Sequence, residues 1–372
     1  MLIKIIRIVL TCLVFALASC KSTQKTQKIT STPKNVILLI SDGTGLSQIS
    51  SAFYYKDQMP NYARFNTIGL IKTSSSQEDV TDSAAGATAF ACGIKTYNGA
   101  IGVDDDKTDA ENLVELVSKK NIKTGMIATS SITHATPASF YAHTASRSSE
   151  EEIAEYLVDS EIDFFAGGGL QFFNKRKDNQ NLLNSFKEKG FTINTNTLDA
   201  FENITSKKKM GYLLAEGGMP KMEDGRKSFL SQAIDLGTQY LSKDKLPFFM
   251  MAEGSQIDWG GHNNDAPYLI SELLDFDNAI GRALDYAEKD GNTLVVVTSD
   301  HETGGFTLAA KKKKRDDGSE YSDYSEIGPT FSTGGHSATL IPVFAFGPGA
   351  EHFDGIYENT AIFDKILEVT GW

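Results

Sequence analysis

Val36-Ile37-Leu38-Leu39-Ile40-Ser41-Asp42-Gly43-Thr44-Gly45 is the stretch from which the rest of the chain can be read. Five consecutive apolar residues, three of them β-branched, are too few for a core helix and suit a strand buried on both faces. The run stops at Ser41-Asp42, so a carboxylate follows the strand's carboxyl end. Similar short runs recur at 125–129, 162–166, 248–252, 294–298 and 342–346. Between them, apolar spacings of three and four predict helices over 110–119, 150–158, 228–241, 269–288 and 362–369. Strand and helix in alternation predict an α/β fold, a mostly parallel central sheet with helices on both faces. Two polar segments, 203–225 and 311–327, interrupt the alternation and read as surface insertions, with the 311–315 KKKKR run as a solvated loop.

The 372 residues are 40% hydrophobic and 23% charged, which is enough to bury a large core. With 36 Lys+Arg against 48 Asp+Glu the formal net charge is -12, and no clustered basic face is evident, so no nucleic-acid partner is expected. Three cysteines, Cys12, Cys20 and Cys92, cannot build a disulfide framework or a Cys-rich zinc module. Any metal must be held by Asp, Glu and His. At the amino end, Lys4 and Arg7 precede an apolar run over 8–18 that is too short to span a bilayer stably. Leu17-Ala18-Ser19-Cys20 then resembles the lipobox of bacterial lipoproteins. Residues 1–19 are therefore expected to be a lipoprotein signal peptide, with membrane attachment through lipidated Cys20. Residues 20–33, rich in Lys, Ser, Thr and Gln, read as a flexible tether, and 34–372 as one folded domain. The expected location is exported, periplasmic or at the cell surface.

Open parallel sheets bind ligands beyond the carboxyl ends of their strands, so the strand exits are where chemistry should collect. Asp42 follows the first run, His134 and Thr136 the second, Glu253 the fourth, and Asp300-His301 the fifth. Glu253-Gly254-Ser255-Gln256-Ile257-Asp258-Trp259-Gly260-Gly261-His262 is the densest cluster, and His336 closes Ser332-Thr333-Gly334-Gly335-His336. Asp258 and His262 share a face if helical, while Gly260-Gly261 would equally permit a tight turn. Mixed oxygen and nitrogen donors suit zinc. Three or more carboxylates with three histidines exceed the need of one tetrahedral ion, so two Zn2+ and a harder Mg2+ site are expected. A pair of cations can offset charge on the attacking and leaving oxygens of phosphoryl transfer.

Ser83 follows Asp82 and opens a run of small helix formers that ends at Gly93, so it would sit at a helix N-terminus. It reads either as a nucleophile or as an ordinary N-cap serine on a helix packed through alanines. Arg147 offers a bidentate guanidinium for phosphate, or is a surface arginine. Gly43-Thr44-Gly45 does not complete a dinucleotide loop, because Gln48 stands at its third glycine position.

Thr81-Asp82-Ser83-Ala84-Ala85, followed by Gly93-Ile94-Lys95-Thr96-Tyr97-Asn98-Gly99-Ala100-Ile101-Gly102-Val103-Asp104, resembles the nucleophile segment of the alkaline phosphatase family. The likeness extends through 36–45, 134–147, 167–169, 253–262, 292–301 and the segment around His336. It implies the family's three-layer sandwich with a reduced crown region, since the stretch from Arg147 to Glu253 is short for the family, and a homodimer or monomer. It also implies hydrolysis of phosphate monoesters through a covalent phosphoserine at Ser83. By the same resemblance Asp258, His262 and His336 hold a first zinc, Asp42, Asp300 and His301 a second, and Asp42, Thr136 and Glu253 a magnesium, while Arg147 grips phosphate. Asp82, His134 and Trp259 are secondary candidates. His134 stands where many bacterial relatives carry Asp, which leaves the third-site metal open. Trp259 replaces a Lys or His, which implies weaker retention of product phosphate. A phosphodiesterase of the same superfamily and a non-catalytic metal-binding surface lipoprotein are the alternatives.

Overall fold

The computed structural model describes residues 32–203 and 208–372. The expected signal peptide, Cys20 and nearly all of the expected tether lie outside the described residues. In chain order the strands are β1 (Asn35–Ser41), β2 (Thr67–Lys72), β3 (Lys123–Ser131), β4 (Phe164–Gly168), β5 (Phe191–Asn194), β6 (Lys209–Leu213) and β7 (Phe248–Gly254). They continue as β8 (Thr293–Thr298), β9 (Glu302–Thr303), β10 (Thr307–Lys314), β11 (Glu320–Thr330), β12 (His336–Ser337), β13 (Ile341–Phe346) and β14 (Gly355–Glu358). Ten of these form one sheet in the order β14-β2-β13-β8-β1-β7-β3-β4-β6-β5. Only β13 runs against its neighbours in that sheet.

The unbroken apolar run of β1 follows from its central place between β7 and β8. Val36, Leu38 and Ile40 enter one hydrophobic core and Ile37 and Leu39 the other, so the strand has no solvent side on which to place polar residues. One core is closed by helices Ser83–Cys92, Ala135–Ala138, Glu150–Asp159 and Ala361–Thr370. The other is closed by Leu46–Tyr55, Phe229–Leu241 and Ala266–Asp290. The result is the expected three-layer α/β sandwich.

Two expectations need correction. Segment 203–225 is not simply a surface insertion, because β6 lies within it, paired between β4 and β5. Met210, Tyr212 and Leu213 are buried there on both faces of the sheet. The charges around the short KMGYL core mask it in sequence. Segment 311–327 is exposed as expected, but it forms the antiparallel ribbon β10–β11 rather than a loop. Lys311 pairs with Glu326 at 3.1 Å and Lys313 with Asp323 at 2.6 Å, so opposite charges facing each other across the ribbon help to hold it.

β13 has a particular effect on the site. Because it runs backwards, its start lies at the edge where its neighbours end, with Ile341 opposite Ile71 and Phe346 opposite Val295. The residues just before it, including His336, therefore reach the carboxyl edge from the opposite chain direction.

The layer beneath this edge is pinned by a buried carboxylate. Asp277, fully enclosed in helix Ala266–Asp290, accepts from Lys56, and from the backbone N–H groups of Asn61 and Tyr62 at 3.1 Å each. These contacts fasten the connection between helix Leu46–Tyr55 and β2. Asp277→Ala is expected to lower unfolding free energy by about 3 kcal/mol, because it orphans the Asn61 and Tyr62 N–H groups and leaves Lys56 with Asn278 Oδ1 alone at 2.9 Å. Urea titration of the metal-replete protein reads this, and a loss of less than about 1 kcal/mol, the worth of one neutral hydrogen bond, would contradict it.

Candidate metal centre

Asp42 leaves β1 into Gly43, whose φ of +76° is a left-handed conformation that glycine adopts without strain. A Cβ on Gly43 would lie 2.5 Å from the Asp258 Cα, so glycine is also what lets the loop carrying Asp42 meet the helix carrying Asp258. That helix, Gln256–His262, decides the question left open by its two glycines: Asp258 and His262 lie on one helical face, with Oδ1 and Nε2 3.3 Å apart.

The imidazoles are oriented by what their Nδ1 atoms touch. His262 Nδ1 lies 2.8 Å from the Gly334 carbonyl and His336 Nδ1 2.8 Å from the Thr81 carbonyl. A carbonyl can only accept, so in both rings Nδ1 carries a proton and Nε2 is turned toward the cluster. The two Nε2 atoms stand 3.1 Å apart, with Asp258 Oδ1 3.3 and 3.6 Å from them. Nitrogens and a carboxylate oxygen gathered this closely make a donor set that suits a cation. His301 stacks on His336 with ring centroids 3.5 Å apart, and its Nε2 lies 3.5 Å from Asp42, 3.3 Å from Asp300 and 3.2 Å from Ser83 Oγ.

The carboxylates carry the same message. Asp42, Glu253 and Asp300 are fully buried, and both oxygens of Asp42, Oε1 of Glu253 and Oδ2 of Asp300 lack a hydrogen-bond partner. Thr136 Oγ1 and His134 Nδ1 are unpaired as well. Glu253 is unpaired on one side only. Its Oε2 accepts from Ser255 at 2.6 Å and from Ser130 at 3.3 Å, which turns Oε1 free. Burial, aided by the charges of Asp300, Asp258 and Glu253, drives the Asp42 carboxyl well above the usual range, and burial pushes Glu253 up to about 7. Burial also lowers His301 and His134, each to about 3, so both stay neutral donors. Buried, unpaired and mutually repelling oxygens beside neutral imidazoles fit divalent cations.

Three groups of donors lie within 4.8 Å of one another: Asp258, His301 and His336; Asp42, Asp300 and His301; and Asp42, His134 and Glu253. Of the expected ligands, Asp42, Glu253, Asp258, Asp300, His301 and His336 fall in these groups; His262 lies outside them, with its Nε2 3.1 Å from that of His336, and so does Thr136, whose buried Oγ1 is unpaired. His301 bridges the first two groups, and His134, a secondary candidate, stands with Asp42 and Glu253 in the third.

Asp82, not Ser83, is the N-cap of helix Ser83–Cys92, accepting from Ala85 N at 3.0 Å. Ser83 occupies the first helical turn, with its hydroxyl beside His301. Arg147 donates to Asp82 at 2.9 Å and approaches His134 Nε2 at 3.3 Å, which excludes a freely solvated side chain. Trp259 meets the His134 ring edge-on at 6.0 Å. Sequence reasoning missed Ser130 and Ser255, which orient Glu253, and Thr303, which donates to Asp258. Nothing about a serine or threonine in sequence announces such a contact, although Ser255 stands only two positions from Glu253.

Residues 33–314 match the family model described as alkaline phosphatase. Alkaline phosphatase 3 of Bacillus subtilis strain 168 is 36% identical over 90% of this chain and 88% of its own length. The solved alkaline phosphatase of the Antarctic bacterium TAB5 is 67% identical, covering 92% of this chain and 99% of that one with a TM-score of 0.90. A variant of the TAB5 enzyme with an aspartate in place of a histidine and Mg bound in its M3 site is 69% identical over the same shares, with a TM-score of 0.91. With a buried cage of metal donors beside a helix-borne serine, and with relatives aligned along nearly its whole length, the chain belongs to the alkaline phosphatase family.

Proposed function

We propose that this phosphatase hydrolyses phosphate monoesters to an alcohol and inorganic phosphate through a covalent phosphoserine on Ser83. The observation that carries this reading is the Ser83 hydroxyl, 2% exposed and at a helix N-terminus, beside unpaired oxygen and nitrogen donors and within the same site as Arg147. Two Zn2+, one with Asp258, His262 and His336 and one with Asp42, Asp300 and His301, and a Mg2+ with Asp42, Thr136 and Glu253, would supply Lewis-acid charge that eases loss of the serine proton and offsets charge on the departing oxygen.

The chain's own groups then have distinct tasks. Ser83 Oγ attacks phosphorus in line with the ester oxygen, the P–O ester bond breaks, and water later displaces Ser83 from the opposite side. Arg147 binds two non-bridging oxygens of the phosphoryl group, and Asp82 holds the guanidinium beside the nucleophile. N–H groups in the first turn of helix Ser83–Cys92 favour the added negative charge. Ser130 and Ser255 keep Glu253 turned, and Thr303 does the same for Asp258. A doubly charged monoester suits this cation density better than a singly charged diester. We further infer export and membrane attachment through Cys20, supported by Lys4, Arg7, the apolar run and Leu17-Ala18-Ser19-Cys20.

Ser83→Ala is expected to cut hydrolysis of an aryl monophosphate by about a thousandfold or more and to abolish acid-stable labelling by radioactive phosphate. Undiminished labelling would overturn the phosphoserine. Chelation is expected to abolish turnover, with recovery requiring zinc and magnesium together; full activity in chelator would reject the cage as catalytic. A bis-aryl diester or aryl sulfate hydrolysed faster than the monophosphate would reject the substrate class. Trp259→Lys, which adds a cation, is expected to strengthen inhibition by inorganic phosphate, and an unchanged inhibition constant would refute the role given to the indole. Cys20→Ser is expected to shift the protein from the membrane to the soluble fraction; retention in the membrane would count against the lipid anchor.

A further inference from the structure

His143 stands four residues before Arg147 and belongs to none of the donor groups above. Its Nδ1 lies 2.7 Å from the Gly102 carbonyl oxygen and its Nε2 2.9 Å from Glu115 Oε1. Both partners accept. A neutral imidazole has one N–H and can satisfy only one of them, so the two short contacts favour the imidazolium, with the Asn112 amide Nδ2 farther from Nε2 at 3.4 Å. The residue is 8% exposed, and Tyr156 crosses its ring edge-on at 5.9 Å.

What the imidazolium fastens is the loop over 97–104. Ile101 and Thr144 exchange both backbone hydrogen bonds, at 3.0 and 2.9 Å. Arg147 N donates to the Gly99 carbonyl at 2.8 Å, and the Tyr97 hydroxyl to the Ala145 carbonyl at 3.0 Å. The same loop reaches the nucleophile through Asn98, whose Oδ1 accepts from Asp82 N at 3.0 Å. One loop thus sets both the backbone of Arg147 and the Asp82 that braces its guanidinium. At its far end Glu115 anchors His143 to helix Leu113–Ser118, where Glu115 also accepts from Asn112 N at 3.0 Å in a capping box.

We propose that His143, as an imidazolium bridging Gly102 and Glu115, is a positioning residue for phosphoryl transfer: it holds the loop that sets Arg147 and Asp82, and loss of its ring proton loosens the grip on phosphate. The proposal rests on the reading of Arg147 as the phosphate-binding group. Titratable and charged groups face the ring from every side. They are Glu115 on its helix, Asp109 and Glu111 before that helix, Lys119 after it, Tyr156 and Glu152 on helix Glu150–Asp159, and Glu161 across an open cleft of about 520 Å3. Cys92 also lies within the field of Glu115, and burial keeps its thiol protonated. Burial works against a charged His143, but the Glu115 and Gly102 hydrogen bonds and the charges of Glu115 and Asp109 outweigh it and hold the ring above the ordinary histidine value. A raised value means that the fastening is complete below the ordinary pKa of about 6.5 and is lost as pH climbs through the raised one.

The test compares the metal-replete full chain with H143Q and E115Q. Inhibition by inorganic phosphate is measured from mildly acid to alkaline pH, with the His143 ring followed by NMR in the same range. On the acid side of that titration H143Q is expected to bind phosphate about 3–10-fold more weakly than the unaltered chain. The ratio should fall to about one across the titration, and in E115Q the corresponding fall should move to lower pH. H143Q should add nothing in an R147A background. A ratio that stays constant with pH, as a merely structural role would give, overturns the proposal. So does a His143 ring that titrates at or below the ordinary value, or a loss that persists without Arg147. Should H143Q not fold, E115Q carries the same comparison. R147A alone separates the two readings: unchanged phosphate inhibition would remove the role of Arg147, while the NMR titration reports on His143 independently.

Discussion

Repulsion among buried carboxylates is the constraint around which this molecule is arranged. Asp42, Glu253, Asp300 and Asp258 converge at one edge of the sheet with almost no contact with solvent, and Arg147 is the nearby cation that offsets Asp42. Gathering like charges out of water is costly unless positive charge joins them. The protein spends its rigid parts on holding them there: central strands buried on both faces, a glycine at Gly43 that admits a second backbone, and serines that restrain Glu253 from turning away. Such an edge suits cations because everything around it prevents the oxygens from escaping.

Topology supplies what local sequence cannot. Strands β1, β3, β7 and β8 run in one direction, so Asp42, the His134–Thr136 segment, Glu253 and Asp300-His301 all emerge on the same side. The reversed β13 contributes His336 without a further crossover. The small β9–β12 pair then sets His336 opposite Thr303, close to both His301 and Asp258.

Much of this was legible in the chain before its structure, and for identifiable reasons. Val36 to Ile40 could be read because a strand with two covered faces admits no polar residue. Ser83 and Gly93 could be read because helix ends demand particular chemistry. β6 escaped because its buried residues alternate with a lysine and a glycine inside a charged segment. The β10–β11 ribbon escaped because paired lysines and acids resemble a solvated loop until their register is known. In the site, Asp, Glu and His advertise their chemistry, whereas Ser130, Ser255 and Thr303 matter only through the neighbour each happens to touch. The role of His143 depends on a carbonyl, and no sequence pattern specifies where a carbonyl points.

The reversed strand has one more effect, on the order in which the molecule assembles. Asp42 directly follows the first strand and His336 opens β12 near the other end, so the cage joins two remote stretches of the chain. Contacts of that span form late, after the entropy of closing a very long loop has been met. An ion held jointly by Asp42 and the late-sequence donors would therefore tie these remote stretches together, and its loss would free them from each other.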